Sequence, residues 1–497
     1  MPDYQCIANT LGEGITSNIL LSKKVFLFQT ILLTAVFLSA QSGKVPVTTT
    51  ISVQMVGLKE PRAMVGYYYG GYLFKADSTT VDTLTGTFSF QCKGLQPGQF
   101  FVTVPKGFLF SFMIDQPGNT YRLRGNIEHP DSLHCENSAE NEAYLAFLRE
   151  KRKKEATIRD QEEMFNLIKQ ATKDPKTLQE FSGKIAALYQ KLDTLERDHI
   201  AKYPKLLFSK MLQSSRVPDV PKSVKILNAK GQPSFSYLQW IRKHYWNFTD
   251  FKEERLLNGT DWPFFFDEYF NRWTAPIPDS INAAIDRVMP LMPKDGPIYQ
   301  FAIKRLTQRF ETSDRAGADR IFVHLADRYQ PVKGTPWLDE ATLLRIEYKA
   351  NTHRLTLTGN PVPPLSLLNE KDSLIALYSI NAPYTLLIFY SPLCSHCIET
   401  LPAVYEVWEK YRTKGLAAVA VNTDEQTRYW KGFVAQTGRK WINLSDPDKE
   451  KTFIKTFNAY NLPVMMLLDK DKKILWKRIP TTELDATFER LLGKIGN

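Results

Sequence analysis

The run Tyr384-Thr385-Leu386-Leu387-Ile388-Phe389-Tyr390-Ser391-Pro392-Leu393-Cys394-Ser395-His396-Cys397 decides how this chain is read. Its first seven residues carry no charge and are mostly apolar, the pattern of a strand buried on both faces. Two cysteines three apart follow at once. Behind them Leu401, Val404, Tyr405 and Trp408 fall on one side of an amphipathic helix. A dithiol catalyst needs two sulfurs close enough to bond, with one free to attack a substrate. Two intervening residues at a helix start meet that demand. Cys394 then lies at the helix amino terminus, where unpaired N–H groups and the dipole favour a thiolate; such settings lower a thiol pKa from ~8.5 to roughly 3.5–7.5. Cys394 is therefore the expected nucleophile. Cys397, one turn in and more buried, is the expected resolving thiol, and the two form the redox disulfide Cys394–Cys397. His396 is expected to tune the Cys394 thiolate by charge or hydrogen bonding; the plain alternative is an exposed side chain on the first turn. A lone Cys-x-x-Cys is also half of a zinc site, but no second pair completes it. No metal or organic cofactor is expected.

The rest of the 497 residues implies about three domains. Residues 1–40 read as a leader: Lys23 and Lys24 precede the apolar run Val25–Ala40, and Leu38-Ser39-Ala40 before Gln41 offers a small-residue cleavage site. That is the layout of a signal peptide, with an uncleaved inner-membrane anchor as the alternative. Residues 45–133 carry short β-branched and aromatic runs at Thr48–Val56, Met64–Phe74, Gly86–Cys92, Gln99–Val104, Phe108–Ile114 and Thr120–Arg124, punctuated by Gly, Pro, Asp and Asn; this spacing predicts a β-sandwich. Residues 134–350 turn to helical periodicity, starting at the cap Asn137-Ser138-Ala139-Glu140, and predict an all-α domain. Its aromatic stretch Tyr237–Trp273 reads as a packed core between helices rather than a ligand groove. The prolines of Asn360-Pro361-Val362-Pro363-Pro364 place a boundary before the last domain, which with its linker spans 351–497.

Five cysteines are too few for a disulfide-stapled scaffold. Cys92 and Cys135 either bridge or serve as small buried hydrophobes, the second reading being favoured. The net charge of +11 is spread along the chain. Its densest block, Arg149–Lys154, lies in a helical stretch and reads as a solvated face. No motif of a nucleic-acid reader accompanies it, so no nucleic-acid partner is expected. His199, His244, His324 and His353 show no metal-ligand spacing.

Beyond the dithiol, Leu416–Asn422 reads as a second buried strand. A helix around Gln426–Ala435 follows, then a hairpin of Val464–Leu468 with Ile474–Lys477, and a closing helix over Thr482–Leu492. With Pro402 five residues after Cys397, this succession resembles the thioredoxin fold from about Gly359 to Asn497. The fold class is thus multidomain: a β-sandwich, an all-α domain and a thioredoxin-like α/β domain. The resemblance matches Leu462-Pro463 to that family's cis-proline loop. It implies that Pro463 backs onto the dithiol and that the Leu462 backbone receives an extended substrate peptide. The domain order resembles the TlpA/ResA-like disulfide reductases of Bacteroidetes-type bacteria. That implies a periplasmic enzyme exchanging disulfides with protein or peptide thiols, working as a reductase and fed by a membrane thiol donor. The sequence departs from the family at three places. Ile388 stands where an aspartate is common, Leu393 where a tryptophan is usual, and Thr400, one after Glu399, where the cytochrome-maturation branch tends to a glutamate. The proton acceptor for Cys397 is left open by these changes. His396 points mildly toward an oxidase or isomerase. A reading of another class makes the chain a partner-binding scaffold whose thioredoxin-like module is structural.

Overall fold

The computed structural model describes residues 46–492 apart from 229–231, 314, 332–333, 426 and 447–450. The leader, its cleavage site and Cys6 lie outside the described residues. Among the described residues no helix is long and apolar enough to cross a membrane. Packing divides the chain between Thr274 and Ala275 into two compact units.

The first unit opens with strands β1 (Thr48–Val56), β2 (Arg62–Tyr69), β3 (Tyr72–Thr80), β4 (Thr87–Lys93), β5 (Gly98–Val104), β6 (Gly107–Ile114), β7 (Thr120–Asn126) and β8 (His129–Cys135). They form two four-stranded sheets, ordered β4-β1-β7-β8 and β3-β2-β5-β6. Ile51, Val53 and Met55 of β1 alternate inward, as a sheet with one dry face requires. The run read as one strand over Met64–Phe74 is two: Gly70 and Gly71, both at positive φ (58° and 84°), turn β2 back into β3. Cys135, placed by the sequence just past the β domain, is the last residue of β8. Cys92 and Cys135 are free and buried. They sit on the two edge strands of one sheet, with β1 and β7 between them. At about 4.8 Å per strand that is roughly 14 Å, beyond disulfide reach.

Ser138 caps the long helix α1 (Ala139–Ala171), which returns as α2 (Pro175–Lys202). The basic block lies on α1 and is paired in part, Arg152 with Asp131 and Lys153 with Glu150. Shorter helices α3 (Leu207–Ser214), α4 (Phe235–His244) and α5 (Asp261–Glu268) complete the unit. The aromatic stretch packs as a core there: Tyr245 stacks on Phe265 at 4.1 Å, and Trp262, Phe266 and Tyr269 are buried. Glu140, 3% exposed, accepts the Leu207 and Phe208 N–H groups at 2.9 and 2.7 Å and so caps α3 from a distance in sequence. Glu140→Ala leaves both donors dry and unpaired. Urea denaturation is expected to show a loss of about 2–4 kcal/mol; an unchanged midpoint would mean that water replaces the carboxylate.

The second unit begins with α6 (Pro278–Val288), α7 (Pro297–Glu311), α8 (Ala318–Tyr329) and α9 (Glu340–Arg354). Then come β9 (Ser366–Asn369), β10 (Leu374–Ala376), β11 (Tyr384–Tyr390), α10 (Ser395–Tyr411), β12 (Leu416–Asn422), α11 (Thr427–Thr437), β13 (Ile442–Ser445), α12 (Thr452–Thr456), β14 (Val464–Asp469), β15 (Ile474–Lys477) and α13 (Thr481–Leu492). The sheet runs β10-β9-β13-β12-β11-β14-β15. β11 is parallel to β12 and antiparallel to β14. Its residues alternate between two cores: Leu386, Ile388 and Tyr390 face the α10 and α13 side, Leu387 and Phe389 the α12 side. The proline segment does not hang free. Val362 N–H donates to Lys472 O at 2.9 Å and Gly359 N–H to Ile474 O at 2.7 Å, so the chain lies along the β14–β15 turn.

Candidate functional site: a dithiol at the start of a helix

Strand β11 ends at Tyr390, and its buried run delivers the chain to the sheet edge where α10 starts. The connecting turn is held by Ser391. Its Oγ accepts the Leu393 N–H at 3.0 Å and donates to Asp424 Oδ2 at 3.2 Å. Ser391 O accepts the Cys394 N–H at 3.2 Å. Cys394 is the cap residue of α10: its backbone is extended (φ −84°, ψ 111°) and its Sγ accepts the Cys397 N–H at 3.3 Å. A sulfur in that place faces the positive end of the helix, which stabilises negative charge on it.

The two thiols differ in exposure. Cys394 is partly exposed, whereas Cys397 is fully buried among Leu386, Ile388, Tyr390 and Leu401. Burial, together with the hydrogen bond to Cys394, pushes the Cys397 thiol well above the ordinary thiol range, while the Ser391 N–H pulls weakly the other way. Both are free thiols here. Ile388 is buried in the same core as Cys397, so the position where the family often carries an aspartate supplies no carboxylate. Tyr390, at the end of this strand, lies in the same core. Its hydroxyl accepts the Trp430 indole N–H at 3.1 Å, and burial pushes the phenol up to about 12, with Cys397 adding to the effect.

Leu462 and Pro463 come to the same place from the other end of the domain. The Leu462–Pro463 peptide is cis. Leu462 O lies 4.0 Å from Cys394 Sγ, which donates to it. The geometry thus brings four of the five residues singled out by the sequence together: Cys394, Cys397, Leu462 and Pro463. His396 is exposed on the first turn of α10, and among the described residues its ring takes no hydrogen bond; only its carbonyl is engaged, by the Thr400 hydroxyl at 2.7 Å. Ser391 and Asp424 were not anticipated. A Ser-Pro pair is a turn signal that could have drawn attention to the first. Asp424 lies on the loop after β12, and nothing local marks it.

Comparison with known proteins agrees on the carboxy-terminal part. Residues 382–474 match the thioredoxin-like family. The thiol–disulfide oxidoreductase ResA of Bacillus thuringiensis subsp. konkukian is 28% identical over 137 residues, which cover 28% of this chain and 78% of that protein. ResA of Bacillus anthracis is 29% identical over the same length. Among solved structures, a domain of a possible thiol–disulfide isomerase from Cytophaga hutchinsonii is 31% identical, covering 28% of this chain and 95% of that one, with a TM-score of 0.26. A thioredoxin-like protein from Bacteroides caccae covers 55% of this chain and 98% of its own at 17% identity, with a TM-score of 0.41.

Proposed function

Since this chain belongs, through its carboxy-terminal domain, to the TlpA/ResA-like thioredoxin-fold family of thiol–disulfide oxidoreductases, we propose that it is an exported disulfide reductase acting on protein or peptide clients through Cys394 and Cys397. The observation that carries this reading is the asymmetry of the dithiol: one sulfur accessible at a helix start and 4.0 Å from the Leu462 carbonyl, the other sealed beneath it. Cys394 attacks the client disulfide, and a client sulfur leaves as a thiol. Cys397 then attacks the Cys394 sulfur of the mixed disulfide and releases the second client thiol. The client gains two electrons and two protons; the enzyme is left with the Cys394–Cys397 disulfide, which a membrane thiol donor reduces again. Leu462 aligns the client backbone, and Pro463 closes the back of the dithiol. His396, exposed on the first turn of α10, is assigned the tuning of the attacking sulfur. Export follows from the leader, and the periplasm is the compartment that fits the family reading.

The test is the redox equilibrium of the full chain against glutathione. A reversible two-electron transition is expected, with a midpoint more reducing than the glutathione couple. His396→Ala is expected to move that midpoint further in the reducing direction, because the thiolate loses a stabilising neighbour. A midpoint near that of strong oxidants, ~ −120 mV, would replace the reductase reading with an oxidase. Thiols that resist both glutathione and alkylation would leave only the scaffold reading, in which the aromatic first-unit core serves a partner.

A further inference from the structure

Within the second unit a cleft of about 540 Å³ opens where α7 and α9 meet the end of the sheet. One wall is made by Phe457, Asn458 and Asn461, the residues that lead into the Leu462–Pro463 loop. α9 lines it too, through Arg345, Tyr348 and Lys349. The loop therefore has two working sides. Its Leu462 carbonyl faces Cys394 Sγ, and the residues just before it face the cleft. Leu462 itself packs against both cores of the domain.

The charge in this cleft is one-sided. Among the described residues, Arg315, Arg345, Lys349, Lys477 and Arg478 line it against Glu311 and Asp319. Both carboxylates are already engaged, Glu311 by Arg345 and Lys349, Asp319 by Lys477. Arg315 and Arg478 are exposed and make no ion pair among the described residues. His353 adds no charge at neutral pH, since burial and then Lys477 push it down to about 4. Arg478 is joined to the strand that follows Pro463. Its N–H donates to Met465 O at 2.7 Å, two residues beyond Pro463, and it holds a left-handed backbone (φ 55°) that glycine would adopt more readily.

Two arginines without an ion pair among the described residues, in a cleft lined by the residues that lead into the peptide-aligning loop, are complementary to carboxylates carried on the same chain as the disulfide. We propose that this cleft receives an acidic segment of the client polypeptide flanking the disulfide presented to Cys394, an inference that rests on the exchange reading above. Such a cleft selects clients by charge and speeds their encounter, and its action falls with salt. It also gives the helices of this unit a role in choosing the client.

The experiment is fluorescence anisotropy of the full chain with two labelled cysteine-free octapeptides, one bearing four glutamates and one bearing four lysines. The acidic peptide is expected to bind at least tenfold tighter at 25 mM salt, and to lose most of that preference at 300 mM. Arg315→Glu with Arg478→Glu, both at exposed positions, is expected to weaken it tenfold or more. Equal binding of the two peptides, or an acidic preference that survives the double substitution, would overturn the proposal. Displacement by equimolar glutathione would overturn it in favour of a small carboxylate. Reaction of the wild-type chain with the neutral disulfide 2,2′-dithiodipyridine examines the dithiol separately. Fast reaction without peptide binding sinks the cleft alone; no reaction sinks the exchange reading, whatever the peptides do.

Discussion

Cys394→Ser is expected to bring disulfide exchange down to the uncatalysed rate, a loss on the order of 10³-fold or more, because the attacking sulfur has no substitute in reach. The other thiols of the described residues cannot take over. Cys397 is fully buried, and Cys92 and Cys135 lie buried in the first unit. Cys397→Ser has a different outcome. The first attack proceeds, the resolving thiol is missing, and the client accumulates on Cys394 as a mixed disulfide visible by mass spectrometry. In the wild type the same adduct is transient, and its lifetime carries a pH signature. In that adduct Cys394 has neither proton nor charge, so burial, the largest cause, is what holds the Cys397 thiol above the usual range. Its thiolate fraction, and with it the resolving rate, rises about tenfold per pH unit until that raised value is approached. With Ile388 in place of a carboxylate, no acid on β11 draws off the proton to flatten this slope. Stopped-flow mixing with a model peptide disulfide between pH 6 and 9 reads both effects. If Cys394→Ser keeps more than a tenth of the wild-type rate, the assignment of the nucleophile fails.

Much of the carboxy-terminal domain was legible because its signals are local. β11 announces itself by seven uncharged residues, since both of its faces meet a core. The cysteine pair and the helix behind it are contiguous with that strand. Elsewhere the signals weaken for identifiable reasons. β8 contains His129, Pro130, Asp131 and Ser132, all exposed, so an edge strand passed for a loop. The Met64–Phe74 run hid its turn, because two glycines between tyrosines do not interrupt an aromatic pattern. β9, β10 and β13 are of three or four residues, too short for alternation to register. The division between Thr274 and Ala275 is one of packing, and no change in composition marks it as the prolines mark 360–364. The cleft was illegible for the most physical reason. Arg315 and Arg478 are far apart in sequence, and only the folding of α7–α9 with the sheet brings them to one cleft.

The same long-range logic sets the largest stability effect expected in the second unit. Asp319, at the start of α8, pairs with Lys477 of β15 at 2.6 Å, the two side chains 7% and 12% exposed. Asp319 also accepts the Thr358 N–H at 3.0 Å. Two charges leave water to make this contact, so the pair is a poor source of net stability, yet breaking it on one side is costly. Asp319→Ala leaves an ammonium group buried without a partner, and the expected loss is about 3–5 kcal/mol. Calorimetry should place that as a fall of roughly 6–20 °C in the melting of this unit. Asp319→Leu combined with Lys477→Met removes both charges and is expected to recover most of it. Burial by itself would raise the Asp319 carboxyl; Lys477 and the Thr358 N–H outweigh it and hold the group below the usual carboxylate range. A carboxyl with a depressed folded-state pKa contributes stability above its unfolded value of ~3.9 and loses it as the pH falls through the folded-state value. The wild type should therefore weaken below about pH 4 through this group, and the double variant should lack that component. If Asp319→Ala costs less than ~1 kcal/mol, Lys477 finds water when its partner is removed, and the contact is a solvated pair rather than a buried one. In the buried case the ion pair pins α8 to β15 one residue before Arg478, and so fixes the backbone that carries that arginine into the cleft.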